Sequence, residues 1–121
     1  GCDKRGTLSV ISTRSLNIIK DIELGIMPVQ MAVSKKMPYL YVTNMGSNDV
    51  YVIDLNRFQK LRTIKTGKMP RGVALTEKRE VFIGSSEDNI ITVIDESTFK
   101  ILGNIEAGIE PTSMLYVEET V

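Results

Sequence analysis

Asp54 and Asp95 are the residues whose type and spacing first suggest chemistry, because two carboxylates are a pairing that general acid–base catalysis uses. Each ends an apolar run, Val52-Ile53-Asp54 and Val93-Ile94-Asp95, and the matching run Val10-Ile11-Ser12 ends in serine. Asp and Ser share one ability: a side-chain oxygen that folds back onto nearby backbone N–H groups and caps a tight turn. An acid or base also needs a reacting group within reach, which equivalent positions on separate repeats hardly provide. Turn capping is therefore the reading of all three positions, and no catalytic residue is assigned.

Glu87-Asp88-Asn89 is an acidic cluster that invites a cation. Calcium takes roughly six to eight oxygens, and nothing near this cluster has the spacing, so a solvated loop is expected. The chain has no His, which leaves no imidazole to ligate zinc or haem or to act as a base within it. Cys2 is the sole cysteine and cannot close an internal disulfide. Neither a cofactor nor a metal site is expected. The six methionines fit core or rim packing.

Binding candidates follow three prolines: Val29-Gln30 after Pro28, Arg71-Gly72 after Pro70, and Thr112-Ser113 after Pro111. These positions differ although their surroundings agree, as expected where a scaffold is held and a surface varies. Gln30, Arg71 and Thr112 are the candidate ligand contacts. Arg71 is the most suggestive, since a guanidinium forks onto carboxylate or phosphate. The competing expectation for it is a rim salt bridge to a neighbouring repeat. Lys65, Lys68 and Arg71 could form a small basic patch, but no aromatics are interleaved with them, which argues against nucleic acid.

What positions these residues is a repeat. Pro28, Pro70 and Pro111 are 42 and 41 residues apart, and each follows a glycine by three, Gly25, Gly67 and Gly108. Ile22, Ile64 and Ile105 precede those glycines by three, and Leu16, Phe58 and Phe99 keep step. Within a period the apolar runs are short and rich in β-branched residues and tyrosine, with no amphipathic helix. In the central copy they are Met31–Val33, Tyr39–Val42, Val50–Ile53 and Leu61–Lys65, which predicts four strands. Val50-Tyr51-Val52-Ile53 is apolar at consecutive positions, so both of its faces must be covered. Lys60–Lys65 alternates and carries lysines, as an outer edge strand should. The Gly-x-x-Pro element is expected to cross between repeats, with Gly allowing an unusual backbone angle and Pro fixing entry to the next strand. Short four-stranded sheets stacked radially make a β-propeller.

The length of 121 residues supplies about three such repeats, so the expectation is an all-β segment of antiparallel four-stranded blades in an incomplete ring. Its parts would be a partial blade over 1–26, blades over 27–68 and 69–109, and the start of another over 110–121. The composition is 42% hydrophobic with zero net charge, so no overall field draws the chain to nucleic acid or lipid. No apolar run approaches the ~20 residues of a membrane span. Charge is uneven: residues 1–79 carry 14 Lys/Arg against 6 Asp/Glu, and residues 80–121 carry 1 against 9, or +8 and −8. Because roughly four to eight blades make a ring, the remaining blades or further copies of the chain are the expected partners. A longer chain is preferred, since a junction between copies would lack its second strand.

Tyr41-Val42-Thr43-Asn44, followed by Val52-Ile53-Asp54, Ile64, Gly67 and Pro70, resembles the YVTN repeat of bacterial and archaeal surface propellers. The third copy reads Phe82-Ile83-Gly84-Ser85 at the tetrad, and the first copy begins beyond it. WD repeats are a poorer match because Trp-Asp and Gly-His pairs are missing, and quinoprotein repeats because their tryptophan is. The resemblance implies a non-catalytic binding or scaffold propeller of the cell envelope or the exterior, presenting loops and a channel mouth to a protein or small ligand. The alternative is part of an enzyme propeller, lactonase-like or haem- or quinone-bearing, with its catalytic residues on other blades.

Overall fold

Apolar runs bounded by turn residues become strands throughout the computed structural model, which describes residues 4–108. The first sheet pairs β1 (Arg5–Ile11) with β2 (Ile18–Ile26). The second contains β3 (Pro28–Val33), β4 (Tyr39–Asn44), β5 (Asp49–Asp54) and β6 (Gln59–Lys65). The third contains β7 (Pro70–Leu75), β8 (Glu80–Ser85), β9 (Ile90–Asp95) and β10 (Ile101–Glu106). In both four-stranded sheets spatial order follows chain order, every pair is antiparallel, and no helix occurs among the described residues.

The unbroken apolar run of β5 is explained by two cores. Tyr41, Val50, Val52 and Ile64 pack against Leu75, Val81, Ile83 and Ile94 of the third sheet. Leu40, Val42, Tyr51 and Ile53 pack against Ile22 and Leu24 of the first. Alternate side chains of one strand therefore enter opposite cores, as the period of two requires. Val50, Val52 and Ile53 are fully buried, each stabilising by about 1.5–3 kcal/mol. In β6 only Ile64 is buried, and the rest of that strand faces outward.

The turn at 44–49 shares a face with the crossing at 66–69: Met45 and Gly46 donate backbone N–H bonds to Met27 and Ile26, and Met69 N–H donates to Asn48 Oδ1 at 2.9 Å. The opposite face carries the other turns, where Leu55 N–H donates to the Pro38 carbonyl and Lys35 and Lys36 pair with Glu77 across the sheets. The strand order expected for an up-and-down blade is the one observed.

The expected role of the crossing glycines needs correction. Neither Gly25 nor Gly67 has a positive φ; the left-handed angle falls two residues later, at Met27 (54°) and Met69 (58°), just before each proline. The glycines serve close approach instead. A Cβ on Gly25 would lie 2.6 Å from Asn44 Cγ, and one on Gly67 would lie 2.9 Å from Asp88 Oδ2. Asn44 cannot give way, because it is buried and bonded at both ends of its amide, to Gly25 N–H (3.2 Å) and Asp49 Oδ1 (2.9 Å). Gly25→Ala should therefore lose about 1–3 kcal/mol in a denaturant melt. Gly103→Ala, whose Cβ meets nothing within 4 Å, should not.

Candidate functional site

The repeated carboxylates are occupied as caps. Asp54 Oδ1 accepts the N–H groups of Asn56 (2.8 Å) and Arg57 (3.2 Å), and Asp95 Oδ1 accepts Ser97 N–H (2.9 Å) and Ser97 Oγ–H (2.7 Å). Ser12 Oγ does the same for Arg14 and Ser15. Each turn closes on a left-handed residue, Leu16, Phe58 or Phe99, whose N–H returns to the carbonyl of the capping residue. The Ser97 hydroxyl, then its N–H, holds the Asp95 carboxyl below its ordinary range, the wrong direction for a base working near neutrality.

Asp88 of the acidic cluster is likewise bonded, taking Lys68 N–H at 2.7 Å. It stands where Ser47, which accepts Ile26 N–H at 3.1 Å, stands one repeat earlier. Both fasten the outgoing end of the preceding sheet. No group of three His, Cys, Asp or Glu able to hold a metal is found among the described residues.

The structure brings Gln30 and Arg71 together through a residue that sequence reasoning did not single out. Thr43, fully buried on β4, accepts Gln30 N–H (3.2 Å) and donates from its Oγ1 to the Arg71 carbonyl (3.0 Å). One hydroxyl thus joins the innermost strands of adjacent sheets. Its only sequence signal was membership of the Tyr41–Asn44 tetrad. Gln30 and Arg71 are both exposed. The rim salt bridge expected for Arg71 is not there among the described residues, where the ion pairs are Arg5–Glu23, Lys35–Glu77 and Lys36–Glu77. Thr112, the third candidate, lies outside the described residues, as does the start of a further blade expected over 110–121. Gln30 also borders a cleft of about 200 Å³ between the first sheet and β3, lined largely by apolar groups of Leu8, Leu24, Pro28, Val29 and Met31.

A second polar contact sits in the core between the second and third sheets. Tyr41 Oη donates to Glu96 Oε2 at 2.9 Å, and Glu96 is only 2% exposed. Burial first, and then the bond to Glu96, raises the Tyr41 pKa far above the ordinary phenol range, so the hydroxyl stays protonated and available as donor. Glu96 takes the place in this core that Leu55 takes in the core one sheet earlier; each donates its N–H to the turn between the first two strands of its own sheet, at Arg79 and Pro38 respectively.

No protein-family model matches the chain, and no curated protein matches it in sequence. Solved structures do match it. It is similar to hydrazine synthase of Kuenenia stuttgartiensis, with TM-score 0.81 and 24% identity over 88% of this chain and 32% of that one. It is similar to the dihydro-heme d1 dehydrogenase NirN, with TM-score 0.81 and 17% identity over 92% of this chain and 25% of that one. It is also similar to the WD40 repeats of RRP9, with TM-score 0.71 and 13% identity over 84% and 32%. WD40 repeats are propeller blades, and antiparallel four-stranded sheets standing side by side match them. The chain is a β-propeller segment. It spans about a third or less of each of these proteins, and at such identities the likeness concerns the fold alone.

Proposed function

We propose that the segment belongs to a non-catalytic binding or scaffold propeller of the YVTN-repeat kind, in the cell envelope or outside the cell. It presents rim loops and a channel mouth to a protein or small ligand. The observation carrying this reading is the mouth itself: Gln30 and Arg71 are exposed on adjacent innermost strands, and one buried hydroxyl holds both backbones. Asp54 and Asp95, the carboxylates that repeat, are engaged in holding turns. The envelope location rests on the Tyr41–Asn44 tetrad. Arg71→Ala should abolish capture of the partner while changing stability by no more than about 0.5 kcal/mol, as for other exposed side chains. A large fall in melting temperature would show a structural ion pair instead.

A second reading, part of an enzyme propeller with its catalytic residues on other blades, is favoured by the likeness to hydrazine synthase and NirN, both named for reactions. His, Arg or Asp/Glu at the post-proline positions of further repeats would support it.

Further blades, from a longer chain or from further copies, are the proposed structural partners. Apolar side chains stand exposed on both outer sheets, Ile18 (61%) and Ile19 (58%) on β2, and Leu102 (58%) and Ile105 (47%) on β10. Stacked repeats would bury such surface. Light scattering of the purified chain should show association or no cooperative melt. A folded monomer with a cooperative transition would refute this dependence.

A further inference from the structure

The seam between β3 and β7 supports a narrower statement about the ligand, one that rests on the binding function just proposed. Gln30 stands opposite Thr43 in the β3–β4 ladder, so its side chain shares the face of Thr43. That is the face from which Ala32 and Tyr41 pack toward the third sheet. Arg71 reaches the seam from the other side through its backbone carbonyl. It is the unpaired residue of β7, lying between the partners Pro70↔Ser85 and Gly72↔Gly84. Such a bulge frees a residue from the ladder and re-aims it, and here the freed carbonyl turns to Thr43 Oγ1. The guanidinium is exposed and has no ion pair among the described residues.

We propose that this seam binds a carboxylate, with the Arg71 guanidinium as the fork and the Gln30 carboxamide as an uncharged donor beside it. The planar fork of arginine matches two oxygens of one carboxylate, and an amide adds a donor without adding charge. Local charge selects among oxyanions. The rim segment beside Arg71 carries Lys68, but the loop bonded to that segment carries Glu87 and Asp88. Glu87 and Asp88 offset Lys68 and Arg71, so the seam holds no excess positive charge for a phosphate dianion, and the single fork is matched to a monoanion.

The test is an NMR titration of the complete propeller, this segment together with its further blades, with propionate, propionamide and inorganic phosphate at constant ionic strength, observing the Arg71 Nε–H and the Gln30 side-chain amide. Saturating shifts are expected with propionate, none with propionamide and weaker ones with phosphate. Arg71→Gln should weaken propionate binding about tenfold or more, and Arg71→Lys should weaken it less, both with an unchanged melt. A free acid and a peptide C-terminus share this chemistry; comparing propionate with a singly charged peptide acid tells them apart. Shifts that phosphate matches, or that persist in Arg71→Gln, would overturn the proposal, as would their absence. If propionate fails while partner capture still depends on Arg71, the binding function survives and the carboxylate does not.

Discussion

Tyr41→Phe is expected to destabilise the propeller assembled with its further blades by about 1.5–3 kcal/mol, although it removes a single oxygen. The hydroxyl donates to Glu96 Oε2 at 2.9 Å, and Glu96 is nearly inaccessible to water. Without that donor the carboxylate keeps its desolvation cost and loses a charge-assisted bond. The repeat itself suggests the compensating change, since Leu55 fills the equivalent place in the neighbouring core. In the double variant Tyr41→Phe/Glu96→Leu both polar partners become apolar, and most of the loss should be recovered, because removing both members of a buried pair can be nearly neutral. Denaturant melts of the two single variants and the double variant measure the coupling. Additive losses would show that the two groups do not depend on each other.

Ile53→Ala should cost about 2–5 kcal/mol, the largest single-residue effect expected here. Ile53 is fully buried in the core between the first and second sheets, on the central strand β5 whose other face is buried too. Hydrogen-bonded strands on both sides prevent the backbone from collapsing into the cavity. Leu61→Ala on the neighbouring β6 removes a comparable side chain that is 42% exposed and should cost well under half as much. Urea midpoints of the two variants decide the point; equal losses would mean that β6 is covered in solution by a surface absent from this fold.

Most of what is local was legible in the sequence. The 42- and 41-residue spacing located the repeats, and four apolar runs per period became four strands. Consecutive apolar positions marked β5 as covered on both sides, because side chains alternate across a strand and each face needs its own core. Ser12, Asp54 and Asp95 could be read as turn caps because a short polar side chain and the N–H groups it bonds lie within three residues of each other.

Relations between sheets were decided by tertiary structure alone. Gly25 and Gly67 looked like residues of free backbone angle, yet the left-handed angles fall on Met27 and Met69, and the glycines are needed because the next sheet comes within van der Waals distance of them. Tyr41 and Glu96 are 55 residues apart, and Thr43 meets Arg71 across 28. A period says that such positions recur; it does not say how far one sheet is set from the next, or which side chains then meet. That distance comes from packing the two cores, and it determines that Thr43 joins β3 to β7 while the Arg71 guanidinium, expected to pair across the rim, makes no ion pair among the described residues.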